Sequence, residues 1–154
     1  MSECDVDDFL ASVLVPQVAA EHALHNGDLA PRLALWSNDD SVTLFGALGP
    51  CDAGWDAVSR TFRWVAARFS GCTTYHFDLV AADVSGDLAY TVGYEHCTAS
   101  FDGGPPTSTV LRVTHVYRRE GGAWKIVHRH GDYFREDQGS SASAPGSPAT
   151  TNES

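Results

Sequence analysis

The sequence predicts an α+β domain in which helices pack on one face of a curved antiparallel sheet, the sheet folding over a long helix to leave a cone with a mouth. Three observations carry this expectation. The first half holds segments of helical period around one short strand-like run. The second half holds long runs of period-two alternation. The last of these, Thr107 to Phe134, reads as a long hairpin closed at Glu120-Gly121-Gly122.

In chain order, Asp5 to Asn26 has Phe9, Val13, Ala20 and Leu24 on one helical stripe, with Asp5 or Asp7 as the cap and Gly27 as the stop. Pro16 kinks this helix or restarts it. Asp28 caps a short second helix through Pro31 to Trp36. A turn at Ser37 to Asp40 precedes a strand, Ser41 to Gly46. The strongest amphipathic helix spans about Trp55 to Ser70, with Trp55, Val58, Phe62, Val65 and Phe69 on one face and Gly71 as its stop. Strands follow at Thr73 to Val84 and Leu88 to Phe101, joined at Ser85-Gly86-Asp87. Residues 1–136 form one domain. Residues 137–154 lack periodicity and large apolar side chains, and read as a disordered polar tail.

A three-residue hairpin loop pairs Arg119 with Ala123. Arg118 then faces Trp124, Val116 faces Ile126, Thr114 faces His128 and Arg112 faces His130. These eight residues form one surface, apolar near the turn and polar at the far end, as the floor of a ligand pocket would be. A one-residue slip would put His115 and Tyr117 there instead. The other face, with Leu111, Val113, His115, Tyr117 and Val127, is too apolar to be solvated, which predicts a homodimer.

A formal net charge of −10 argues against nucleic acid, which needs a Lys/Arg footprint, and against a basic membrane-surface role. No run approaches the roughly 18 apolar residues of a membrane span. The acidic start, MSECDVDD, is the reverse of a signal-peptide leader. Cys4, Cys51, Cys72 and Cys97 contain no C-x-x-C, so reduced thiols in a cytoplasmic protein are expected, with two disulfides as the alternative.

The stretches HNGDLAPRLALWSNDDSVTLFGALGP, GWDAVSRTFRWVAARFSG and LRVTHVYRREGGAWKIVHRHGD resemble the nuclear transport factor 2-like superfamily, and within it the SnoaL-like proteins. The resemblance covers Phe9 to Phe134. It implies a cone-shaped α+β barrel, commonly a homodimer packed through the outer sheet face. The superfamily hosts ketosteroid isomerase, scytalone dehydratase and polyketide cyclases beside non-catalytic members, so fold alone does not assign function. The isomerase set of one Tyr and two Asp has no complete match here.

His128 and His130 are the sharpest polar signal. A His suits proton transfer near neutral pH, and Arg112 beside it would hold an enolate or carboxylate oxygen, with Thr114 as a further contact. The alternative is hydrogen bonding within the sheet or a dimer interface. Glu95 shares a strand face with Ala89, Thr91, Gly93 and Cys97. Inside an apolar cone its pKa would be raised and it would act as a general acid or base; on the outer face it would be solvated or Arg-paired. Tyr90, Tyr94 and His96 compete from the opposite face. Trp55 lines the pocket or packs in the core. His22 and His25, three apart, read as a partly exposed helix face. A His-x-His metal site completed by Glu95 lacks a fixed geometry, so neither metal nor cofactor is expected. The function expected is binding of a small apolar, oxygen-bearing molecule, with cofactor-free isomerase, cyclase or dehydratase chemistry, or binding or assembly without chemistry.

Overall fold

The structure, a computed structural model, describes residues 3–134; the tail expected over 137–154 lies outside the described residues. Helix α1, Glu3–Leu24, buries Phe9, Val13, Gln17, Ala20, Glu21 and Leu24 along one stripe. It runs through Pro16, which sits on the exposed side, so there is no restart. Gly27, at a φ of 87°, turns the chain out of α1. The Ala30 amide then donates to Asp28 Oδ1 at the start of α2, Ala30–Leu35. Two three-residue strands follow, β1 (Thr43–Phe45) and β2 (Cys51–Ala53), and then α3, Trp55–Ala66. Helix α3 is shorter than its apolar periodicity suggests, because Phe69 already belongs to β3, Phe69–Ser85. Gly71 lies inside β3, at a φ of 61° in a register shift between Ser70 and Thr74. Strands β4 (Leu88–Phe101), β5 (Pro106–Glu120) and β6 (Ala123–Tyr133) complete the sheet.

The cone-shaped antiparallel barrel is corrected to an open, mixed sheet of order β2-β1-β6-β5-β4-β3. Strand β1 reaches the sheet after α2 and pairs in parallel with β6, Leu44 opposite Arg129. Its partner β2 is too short to extend the ladder, so β2 and β3 remain as two edges and no ladder joins them. Helices cover one face: Phe9 stacks edge-on against Tyr117 at 5.1 Å and Trp36 against Phe62 at 4.9 Å, within a core that includes Val42, Leu44, Val58 and Ile126.

The hairpin register also differs. Glu120 pairs with Ala123 across a two-residue loop, Gly121-Gly122, with φ of 57° and 84°, the positive values a type I′ turn requires at both positions. Arg119 therefore faces Trp124, and Tyr117 faces Ile126. Val127 is then an extra residue: the ladder resumes with Val116 opposite His128 and Thr114 opposite His130. This β-bulge changes the phase of β6. Trp124 and Ile126 point to the helices before it, and Arg129 and Gly131 do so after it, while His128 and His130 point away. Val113, His115 and Tyr117 are buried in the chain's own core, so their apolar character no longer argues for a dimer.

Candidate functional site

A cavity of about 260 Å³ lies between the covered face of the sheet and the helices. One side is apolar: Leu24 of α1, Leu44, Leu48 and Pro50 around β1, Val65 of α3, and Phe69, Phe101 and Leu111 of the sheet. The other brings His25, Arg32, Glu95 and Arg129 together from four elements. Buried charges need partners, and these have them. Arg32 donates through Nε and Nη2 to both carboxylate oxygens of Glu21, at 3.0 and 2.5 Å. Arg129 donates through Nη2 and Nη1 to Glu95, at 3.0 and 3.2 Å, and lies 3.9 Å from Glu21. Tyr75 donates its hydroxyl to Glu95 Oε2 at 2.5 Å. Arg129 also donates to His115 Nε2 at 3.2 Å, which makes Nε2 the acceptor of a neutral imidazole.

The electrostatics follow. Burial would raise Glu21, but the Arg32 and Arg129 charges outweigh it and bring its pKa down to about 2. Glu95 follows the same logic: burial raises it, Arg129 more than compensates, and it ends below the usual carboxylate range. Burial, helped by Arg129, pushes His115 well below its ordinary value. Burial first and then the Glu95 charge push the Tyr75 phenol well up. The cluster is two ionised carboxylates neutralised by two guanidinium groups.

Around it, the buried His115 Nδ1 has no hydrogen-bond partner among the described residues, and two residues of the cavity wall, His25 and Arg32, also keep an unused polar atom. His25, 8% exposed, donates from Nδ1 to the Glu21 backbone carbonyl at 2.7 Å. This makes Nδ1 the donor, and no protein hydrogen bond engages Nε2 among the described residues. Its ring packs edge-on against Phe69, 4.6 Å between centroids. Arg32 uses Nε and Nη2 on Glu21, and no protein hydrogen bond engages its Nη1 among the described residues. Both residues line the cavity.

Of the residues singled out from the sequence, Glu95 lies in the cavity wall, 1% exposed, on the face shared with Ala89, Thr91, Gly93 and Cys97. Its ion pair makes its pKa lower, the opposite of the expected rise. Arg112, Thr114, His128 and His130 lie on the sheet face turned away from the cavity. There Arg112 pairs with Asp132 and His128 Nδ1 hydrogen-bonds Thr43 Oγ1 at 2.7 Å. His96 shares that face and pairs with Asp78 at 3.0 Å. Trp55 packs against the core and stacks on Phe62 rather than lining the cavity. Because Glu95 and His128 occupy opposite faces, they cannot share a metal. Among the described residues, no three His, Cys, Asp or Glu side chains are grouped to hold one. Sequence reasoning missed Glu21, His25, Arg32 and Arg129. A signal existed for the first: Glu21 continues the buried stripe of α1, and a carboxylate on such a stripe demands a cationic partner.

An open α+β sheet with helices over one face thus encloses a largely apolar cavity, lined in part by a buried ion-pair cluster. Residues 18–134 match the SnoaL-like domain family, and the chain belongs to it, within the nuclear transport factor 2-like superfamily. No curated protein matches the chain by sequence. Solved structures share the fold. A candidate dehydratase of the NTF2-like family from Streptomyces avermitilis is 24% identical, over 84% of this chain and 98% of its own, with a TM-score of 0.67. A ketosteroid isomerase-like protein from Erwinia carotovora atroseptica is 16% identical over 84% and 98%, with a TM-score of 0.68. A protein with a cystatin-like fold from Caulobacter vibrioides is 13% identical over 90% and 96%, with a TM-score of 0.70.

Proposed function

We propose that this protein binds a small, uncharged, largely apolar molecule carrying a carbonyl or hydroxyl oxygen, and moves a proton on it without a cofactor. The observation that carries the proposal is the unpartnered Nε2 of His25 on the cavity wall, beside carboxylates already tied to arginines. Glu95 and Glu21 are poor bases in that state, since the arginine charges hold their pKa low and their oxygens already accept hydrogen bonds. In its neutral form His25 is the group with a free lone pair at hydrogen-bonding reach of the cavity. Arg32 Nη1 supplies a donor for an oxygen on which negative charge develops. The preference for an uncharged ligand follows from the charge balance: each guanidinium is already paired with a carboxylate, and an anion would find no unpaired charge. The proton moves from carbon or oxygen of the ligand to His25 Nε2 and returns at a second position, which is the class of isomerisation, cyclisation and dehydration. The names of two fold neighbours, a candidate dehydratase and a ketosteroid isomerase-like protein, belong to that class.

The test begins with a thermal-shift and native mass spectrometry screen of uncharged ketones and phenols. Ketones that bind are then followed by proton NMR in deuterated buffer, where abstraction next to the carbonyl appears as loss of the α-proton signal. His25→Asn, which keeps a donor for the Glu21 carbonyl, should bind the ketone but exchange it about 100-fold or more slowly. Exchange at the parent rate in that variant would remove His25 from the mechanism. Tight ketone binding with no exchange in the parent would leave a binding protein without chemistry.

The homodimer belongs to the same proposal, now through the face turned away from the cavity, where Phe45, Leu88 and Tyr90 are 44%, 51% and 40% exposed. Sedimentation at tens of micromolar checks it, a monomer counting against it.

A further inference from the structure

Cys72 and Cys97 are both free and buried, and their sulfurs lie 3.9 Å apart. Cys72 sits in the register shift of β3 and Cys97 faces it diagonally from β4, in a small cluster with Ala99 and Phe69. Cys72 is held in place: its amide donates to Asn26 Oδ1 at 2.8 Å and its thiol to the Thr74 carbonyl at 3.4 Å. Cys97 is also part of the cavity wall. The two thiols therefore combine three properties: proximity, a local irregularity in β3 that can absorb a small shift, and a route from the cavity to one sulfur.

We infer that Cys72 and Cys97 form a dithiol site that a small peroxide closes to a disulfide, changing the wall of the ligand cavity. The bonded sulfurs are about 2.0 Å apart, so closure draws them together by about 1.9 Å. Chemically, hydrogen peroxide entering through the cavity oxidises Cys97 to the sulfenic acid and leaves as one water. The Cys72 sulfur then attacks the Cys97 sulfur, the S–O bond breaks, and the hydroxyl departs as a second water with the Cys72 proton. Two thiols lose two electrons and two protons, and one peroxide becomes two waters. Burial, and then the adjacent Cys72 sulfur, push the Cys97 thiol up, which slows its attack on peroxide, so the site closes under sustained rather than brief exposure.

The experiment uses the full chain in a Cys4→Ser/Cys51→Ser background, so that only the pair remains. After peroxide treatment and alkylation of residual thiols, peptide mapping should find residues 72 and 97 linked and neither alkylated. The melting temperature should rise by roughly 5–10 °C, because the bond closes a loop across β3 and β4. Dithiothreitol should reverse both changes, and adding Cys72→Ser should abolish both. Two alkylatable thiols after peroxide treatment, or a sulfinic acid on Cys97 without a link, would overturn the site. The cavity effect is read separately, with 2-naphthol as the uncharged probe: its affinity should change at least threefold on oxidation. A linked protein that binds 2-naphthol as the reduced protein does would overturn the effect on the cavity. Failure of 2-naphthol to bind even the reduced protein would count against both that effect and the proposed ligand class. The mapping and melting results decide the dithiol site without any ligand.

Discussion

Replacing Arg129 by Met tests the buried cluster most directly. In the parent, Arg129 gives Glu95 two hydrogen bonds, gives His115 one, and stands 3.9 Å from Glu21. Met fills much of the same volume but leaves the Glu95 carboxylate buried with only the Tyr75 hydroxyl. Removing one partner of a buried pair costs about 3–5 kcal/mol, because the remaining charge keeps its desolvation penalty. At roughly 2–4 °C per kcal/mol for a chain of this size, the melting temperature should fall by about 6–20 °C. The loss should also depend on pH with a definite sign. In the variant, burial and the Glu21 charge raise the folded pKa of Glu95 above its unfolded value. The protonated form then stabilises the fold at low pH, and that contribution disappears as pH rises through the folded pKa. The gap between variant and parent should be wider at pH 8 than at pH 5. Adding Glu95→Gln to Arg129→Met should recover at least about 1 kcal/mol, since no carboxylate is then stranded. Urea unfolding at both pH values, with the slope checked for constancy, gives these quantities. A single-variant loss below about 1 kcal/mol, or a double variant no better than the sum of the singles, would refute the description of this cluster as a mutually required ion pair.

Acid should unfold the parent in a window set by Glu21. Its pKa near 2 lies below the ordinary 4.5, so it contributes about 3 kcal/mol that is present above pH 4.5 and lost towards pH 2, as circular dichroism would follow. Gly93→Ala should destabilise by about 2 kcal/mol or more in denaturant melts, because the added carbon would collide with the Asp78 backbone carbonyl and the Phe77 ring; a loss under about 0.5 kcal/mol would mean that β3 yields freely. Deleting Val127 removes the bulge yet keeps Ile126 and Arg129 facing the helices, so the chain should still fold and melt cooperatively. Deleting Lys125 also removes the bulge but turns Ile126 outward and seats Val127 in its place, and should cost about 0.5–1.5 kcal/mol more.

That last pair of variants shows where sequence reasoning stopped. In KIVHRH the alternation of apolar and polar residues is weak, and nothing in those six letters marks Val127 as unpaired. A three-residue loop at Glu120 put the hairpin one step out up to Ile126 and, with the bulge, two steps out beyond it. The two glycines instead form the loop alone, because both adopt positive φ and their twist matches the flanking strands. Arg112, Thr114, His128 and His130 do share one face, but the bulge turns it away from Trp124 and Ile126, so Arg129 becomes the polar group facing the cavity.

The sequence by itself determined the family, the order of the helices and of every strand but β2, the bounds of β4, and the set of residues sharing a face with Glu95. These depend on local periodicity and turn chemistry, which a chain carries wherever it is placed. Tertiary structure alone decided which sheet face the helices cover, that the sheet stays open with β1 parallel to β6, and which charges meet. Alternation says that two residues share a side, not which side is buried; the helices choose that by covering one face. Glu21, Arg32, Glu95 and Arg129 come from four elements, and the desolvation that makes their pairing matter exists only once those elements enclose the cavity.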